Sequence, residues 1–261
     1  AQFEAVSPDG TKVPYFLVSR KGMPRDGTTP VLLYGYGGFQ IVYGPSYLQV
    51  PGKAWLEKGG AYALANIRGG GEFGPAWHQA ALKEKRPRAF EDFIAVAEDI
   101  VARKVSEPRR LGIMGGSNGG LLVGAVMPRR PDLFGAVVCQ VPLLDMMRYH
   151  KLLAGHSWMG EYGDPEGAEK EAIRAYSPYQ NLTPGKDYPP AFFVTSTKDD
   201  RVHPGHARKA VARLLELGER PLYYENIEGG HSAAADLEQR ALRQSLEWVF
   251  LHRRLRPQSD K

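Results

Sequence analysis

Cysteine is almost absent from this chain: its 261 residues contain only Cys139. A single thiol excludes any intrachain disulfide. Its place in the apolar run Ala136-Val137-Val138-Cys139-Gln140-Val141 marks it as a packed core residue. Long apolar runs are missing too. No stretch reaches the roughly 18 residues that a membrane-crossing helix needs, so no membrane contact is expected. Charge is balanced rather than of one sign, with 34 Lys+Arg against 29 Asp+Glu. The basic pairs Arg103-Lys104, Arg109-Arg110 and Arg253-Arg254 are scattered, which argues for solvated helix ends and turns and against a nucleic-acid stripe. Repeats and low-complexity tracts do not occur. The chain begins Ala1-Gln2-Phe3 without Met or signal peptide, as a processed or excised piece would. One cysteine and no leader make a cytoplasmic chain the expectation, with a periplasmic or secreted parent left open.

What is present is an alternation of short apolar strands and amphipathic helices. A hairpin opens the chain: Phe3 to Val6, the turn Ser7-Pro8-Asp9-Gly10, then Val13 to Val18. Strands are expected at Val31–Tyr34, Tyr62–Ile67, Arg110–Met114, Ala136–Val141, Ala191–Thr195 and Leu222–Asn226, those at Val31–Tyr34 and Arg110–Met114 buried. Helical spacing runs over Ala89–Lys104, with Phe90, Phe93, Ile94, Ala97 and Ile100 on one face, and over Leu121–Val126, Ala207–Leu217 and Leu237–Leu251. Strands alternating with helices predict a mostly parallel central sheet with helices on both faces. The length suits one domain over residues 1–261, with the hairpin of residues 1–20 inside it.

The run Gly115-Gly116-Ser117-Asn118-Gly119 lies between a strand and a helix, where Gly-x-Ser-x-Gly forms a tight turn that exposes the serine above the sheet. A serine needs a base to take its proton, and the base needs an acid to orient it. The α/β-hydrolase order is Ser, then Asp or Glu, then His. Asp199 and Asp200 follow the strand Ala191–Thr195, and His231 follows Leu222–Asn226 behind two glycines. Ser117, one of the two acids and His231 therefore fall on loops after successive strands, where open sheets build their sites. Spacing alone does not choose between Asp199 and Asp200. The remaining histidines, His78, His150, His156, His203, His206 and His252, read as packing or surface residues. No carboxylate or cysteine cluster completes a site around His203 and His206, so no metal is expected. Gly69-Gly70-Gly71-Glu72-Phe73-Gly74 satisfies G-x-G-x-x-G, with Glu91 and Asp92 downstream. Pro75 and Trp77 follow in place of a plain helix opening, and the unit is not the first βαβ, so no dinucleotide or other cofactor is expected.

Five longer segments point to a family: Tyr34-Gly35-Tyr36-Gly37-Gly38-Phe39, Asn66-Ile67-Arg68-Gly69-Gly70-Gly71-Glu72-Phe73-Gly74, Gly115-Gly116-Ser117-Asn118-Gly119-Gly120, Arg130-Pro131-Asp132-Leu133-Phe134-Gly135 and Asp199-Asp200-Arg201-Val202. With Gly155-His156-Ser157-Trp158 and Tyr162-Gly163, they closely resemble the catalytic domain of the prolyl oligopeptidases, over nearly the whole chain. The resemblance implies Ser117 as nucleophile, His231 as base and Asp199, the first of the paired acids, as its orienting partner. It implies an oxyanion hole from the Asn118 backbone N–H and the Tyr36 phenol. It also implies a flat apolar slot in which a substrate proline stacks on Trp158 between Phe39, Tyr162 and Val202, with Arg201 donating to the carbonyl one residue before the proline. The implied substrates are short proline-containing peptides.

The chain departs from that family in one large respect. Family members carry a β-propeller ahead of the hydrolase domain, and no blade-like repeats occur here. Three readings follow: a serine endopeptidase cleaving after internal proline; a carboxylesterase or acylaminoacyl-type hydrolase using the same triad; or an isolated domain silent without its propeller. Trp158 with Arg201 favours the first, since an ester hydrolase has no use for them.

Overall fold

The computed structural model describes residues 1–256, so the last five residues of the expected domain lie outside the described residues. One eight-stranded sheet runs through the molecule in the order β1-β2-β4-β3-β5-β6-β7-β8. Its strands are β1 (Gln2–Val6), β2 (Lys12–Val18), β3 (Val31–Tyr34), β4 (Ala61–Ala65), β5 (Leu111–Gly116), β6 (Ala136–Gln140), β7 (Ala191–Ser196) and β8 (Leu222–Asn226). From β4 to β8 in the sheet every pairing is parallel; β1 pairs antiparallel with β2, and β2 antiparallel with β4.

The pattern of residues explains this arrangement. In β2, Val13, Tyr15 and Leu17 point inward while their neighbours stay more exposed, as a strand covered on one face requires. β4 and β7 are buried at every position, as in strands with helices on both faces. On one face the helix Pro87–Ala102 buries Phe90, Phe93, Val96, Ala97 and Ile100 beside the apolar helix Asn118–Val126. On the other face Trp55 packs on Trp248 of the helix Leu237–Leu255, with ring centroids 6.1 Å apart. The Trp55 indole donates to the Ala61 carbonyl at 2.8 Å, so this large ring is buried without an unpaired N–H. These features bear out the α/β-hydrolase expectation.

Several boundaries differ from the sequence reading. The last helix begins at Leu237, as its spacing predicts, but runs on to Leu255. The Asp236 carboxylate accepts the Gln239 N–H at 2.8 Å and caps its start, leaving residues 227–236 as the loop that carries His231. The segment after Gly74 does form a short helix, Pro75–Gln79, because proline's fixed φ suits the first helical position. Between β6 and β7 the chain makes further short helices that periodicity did not reveal, including Met159–Tyr162 and Lys170–Tyr176. They carry Trp158 and Tyr162 over the carboxyl edge of the sheet.

Candidate active site

Ser117 sits at the junction of β5 and the helix Asn118–Val126 with φ 58° and ψ −116°, a conformation non-glycine residues rarely hold. Its neighbours impose it. The Ser117 N–H donates to the Gln140 carbonyl at 2.9 Å, while the Ser117 carbonyl accepts the Leu121 N–H at 3.0 Å. A Cβ on Gly115 would lie 2.2 Å from the Gly119 carbonyl oxygen, so strand and helix close this tightly only with glycine there.

The loops after β7 and β8 bring an acid and an imidazole together. His231 Nδ1 lies 2.8 and 3.0 Å from the two carboxylate oxygens of Asp199. Asp199 is buried, and its Oδ1 also accepts the N–H groups of Arg201 and Val202 at 2.9 Å each, which fixes the carboxylate's direction. Asp200 is exposed and has no part in this contact. The histidine loop is held from below. Asn226 Oδ1 accepts the Glu228 N–H at 3.0 Å and that of Gly229, while its amide donates to Gln239 at 2.9 Å. Ser196 Oγ donates to the Asn226 carbonyl at 3.1 Å. Among the described residues, Ser117 and His231 are not hydrogen-bonded to each other; in sites without substrate such bonds are commonly open and tighten on binding.

Tyr36 follows β3, and its phenol lies beside the Ser117 hydroxyl. Burial and the nearby Tyr43 push it above the ordinary tyrosine range, against a smaller opposing pull from Ser117, so it stays a protonated donor at neutral pH. The backbone N–H of Asn118 opens its helix and has no intrahelical acceptor. The Asn118 side chain does something composition did not suggest. It donates to the Tyr36 carbonyl at 2.6 Å and accepts the Tyr162 hydroxyl at 2.8 Å, joining the loop after β3 to the turn over the site.

A cavity of about 350 Å³ opens beside the serine, lined by Tyr36, Phe39, Ser117, Trp158, Tyr162 and Arg201 among others. Phe39 meets Tyr162 edge to face, with centroids 5.6 Å apart at 86°. Arg201 has no acidic partner among the described residues, which leaves a free cation at the rim. Val202, expected in the same wall, lies instead in the main core, where its N–H braces Asp199. Sequence reasoning also passed over Arg86, Glu161 and His78, which form a buried cluster behind the loop of residues 36–40. Nothing in their spacing signals that they meet.

The remaining motifs have structural occupations. Asp92, downstream of the glycine run, is fully buried and pairs with Arg68, which also reaches Ser7 and Asp9 and so ties the hairpin turn to the sheet. His203 Nδ1 accepts the Gly205 N–H at 2.9 Å. His206 Nδ1 accepts the N–H groups of Leu144 and Asp145 at 3.2 and 3.0 Å. Cys139 is buried, and its thiol is pushed far above the ordinary range by that burial. Among the described residues no helix is long and apolar enough to cross a membrane.

Comparison with known proteins finds similar chains over nearly the whole sequence. Residues 51–258 match the model of the prolyl oligopeptidase family. An uncharacterized peptidase of Sinorhizobium fredii is 59% identical over 255 residues, which is 97% of this chain and 35% of that protein. A prolyl endopeptidase of Elizabethkingia miricola is 41% identical over 238 residues, covering 89% of this chain and 34% of that protein. The solved structure of a post-proline cleaving enzyme from Rickettsia typhi superposes with a TM-score of 0.95 at 45% identity, over 98% of this chain and 37% of the other. The chain thus spans about a third of the length of the curated relatives it matches.

Proposed function

The chain belongs to the prolyl oligopeptidase family, a family of serine peptidases, and we propose that it hydrolyses peptide bonds on the carboxyl side of proline in short peptides, through an acyl-enzyme on Ser117. The observation that carries this reading is one sheet edge that holds a strained serine, an Asp199-bound imidazole and an aromatic cavity with an arginine that has no acidic partner among the described residues.

In this reading Ser117 Oγ attacks the carbonyl carbon and its proton passes to His231 Nε2. Asp199, held on Nδ1, keeps the tautomer in which Nε2 is free to accept, and stabilises the imidazolium that forms. The carbonyl oxygen becomes an oxyanion facing the Asn118 N–H and the Tyr36 phenol; one such donor contributes roughly 10²–10³ in rate. As the C–N bond breaks, His231 returns the proton to the leaving amine. Water, deprotonated by the same imidazole, then cleaves the ester and restores Ser117. The proline ring lies flat on Trp158 near Phe39 and Tyr162, a rigid ring that loses little conformational freedom on stacking. Arg201 donates to the carbonyl preceding it.

Ile41, Val42, Phe73 and Leu153 are exposed apolar residues on the segments that follow β3, β4 and β6 at this edge. We assign this rim to contact with the remainder of a longer protein, which the family resemblance implies is a β-propeller. Such a domain would restrict the site to short peptides.

The test is hydrolysis of a blocked Gly-Pro chromogenic amide beside its Gly-Ala counterpart and a short-chain ester, with Ser117→Ala as control. Preference for the proline amide that disappears with Ser117→Ala supports the proposal. Ester turnover alone would leave the serine hydrolase and remove the proline slot. Absence of Ser117-dependent turnover would mean that this third of the protein does not act alone.

A further inference from the structure

Arg86 breaks two rules of local stability. It is a cation at the start of a helix, Pro87–Ala102, where the helix dipole favours anions, and its side chain is 1% exposed. A buried ion pair is seldom kept for stability, since desolvation offsets most of its Coulomb energy. Such violations concentrate where a site needs a fixed geometry.

The partners of Arg86 show what is fixed. Its Nη1 donates to the Gly37 carbonyl at 2.7 Å, and its Nη2 pairs with Glu161 Oε1. The same Glu161 oxygen accepts the Phe39 N–H at 3.0 Å, while Oε2 meets His78 Nε2 at 2.7 Å. The guanidinium also lies over the Tyr162 ring, 5.2 Å from its centroid. One ion pair therefore grips the loop after β3 by a carbonyl on one side and an N–H on the other. That loop has much to be gripped for: Gly37, Phe39 and Gln40 all have positive φ, at 65°, 56° and 55°. Two of these are not glycine, and such backbone persists only when its surroundings hold it.

Tyr36 immediately precedes the gripped segment and Phe39 lies within it. Glu161 itself sits in the turn Met159–Tyr162, next to Trp158. We infer that Glu161 and Arg86 are positioning residues that hold the Tyr36 phenol over the developing oxyanion and the Phe39 ring against the proline slot, coupling the transition-state donor to the specificity pocket. The inference rests on the roles assigned above to Ser117 and Tyr36. Neither Glu161 nor Arg86 touches substrate. They act by keeping a strained loop in the one conformation that presents both side chains, and small misplacements of a catalytic group cost up to about 10² in rate.

A double-mutant cycle tests this in the 261-residue chain, using the rate of Ser117 modification by a fluorophosphonate and kcat/KM for the proline amide. Thermal unfolding verifies that each variant is folded at the assay temperature. Glu161→Gln should slow both rates by about tenfold or more. In a Tyr36→Phe background, where the phenol is already gone, the same substitution should slow fluorophosphonate reaction by less than about threefold, the mark of residues that act as a unit. Equal losses in the two backgrounds would overturn the inference, since a purely structural role does not depend on Tyr36. Should Glu161→Gln not fold, Arg86→Lys keeps the charge but lacks the fork that spans Glu161 and Gly37, and the same comparison applies to it. If the parent chain reacts with neither reagent at Ser117, this third of the protein does not act alone, and the inference is overturned for it together with the functional reading. A reactive parent that is insensitive to both substitutions refutes the positioning role alone.

Discussion

Asp199→Asn separates geometry from chemistry in this site. The Asp199 carboxylate is buried and accepts three donors: the Arg201 and Val202 N–H groups on Oδ1 and the His231 imidazole. Asparagine is isosteric. Its carbonyl oxygen can keep both backbone N–H groups, because those donors leave its orientation no choice. The amide nitrogen then faces His231 Nδ1 as a donor, so Nδ1 must accept and the proton moves to Nε2. The imidazole that should take the Ser117 proton now carries one at that position. The expected loss in kcat is about 10⁴-fold, which corresponds to about 5 kcal/mol of transition-state stabilisation. Folding should be little affected, since the side chain's volume and backbone contacts persist. The assay is kcat and KM on the proline amide, with thermal unfolding alongside and Asp200→Asn as comparison. Asp200 is exposed and outside the contact, so its variant should keep parental activity. An Asp199→Asn enzyme within tenfold of the parent, or equal losses at the two positions, would refute the reasoning.

Three further outcomes follow from the structure. Burial depresses the His206 pKa to about 4, whereas the unfolded chain titrates near the ordinary 6.5. The unfolded state therefore binds the extra proton in that window. Stability is full above pH 6.5 and should fall by up to about 3 kcal/mol on the way to pH 4; His206→Gln should flatten that part of a denaturant-midpoint profile, and an unchanged slope would assign the loss elsewhere. Gly115→Ala places a Cβ 2.2 Å from the Gly119 carbonyl oxygen, with backbone on both sides. It should cost about 1–3 kcal/mol and displace Ser117, read as a lower melting temperature together with slower fluorophosphonate labelling; parental labelling would show that the elbow relaxes freely. Arg201→Ala removes a rim cation with no acidic partner among the described residues, so it should raise KM about tenfold or more with no change in melting temperature; an unchanged KM would remove Arg201 from substrate recognition.

Much of this protein was legible in its residues for identifiable reasons. The apolar runs ending at Met114, Val141, Thr195 and Asn226 lie in strands buried on both faces or at the sheet's edge, and a parallel strand must be followed by a crossover, so the carboxyl-edge loops follow from chain order, whereas the place of β4 between β2 and β3 does not. The glycines about Ser117 mark a turn that only they permit. Local chemistry of this kind is written within a few residues, and a sequence displays it directly.

What tertiary structure decided depends on separations the chain does not announce. Asp199 and Asp200 are adjacent and chemically alike; only the turn after β7, with the N–H groups of Arg201 and Val202 on Oδ1, aims one at His231 and leaves the other in solvent. Val202 reads as a pocket residue in the motif but packs in the core once that turn forms. Arg86 and Glu161 are brought together from distant parts of the chain, and their meeting depends on the short helices between β6 and β7, which periodicity does not show. By itself the sequence determined the alternation of strands and helices, the tight turn at the serine and the residue types for acyl transfer, because each is set by nearest neighbours and by the period of burial. Which acid serves, what braces the loop of Tyr36 and Phe39, and where the cavity opens were decided by packing between distant segments, where burial selects one arrangement among side chains that composition cannot rank.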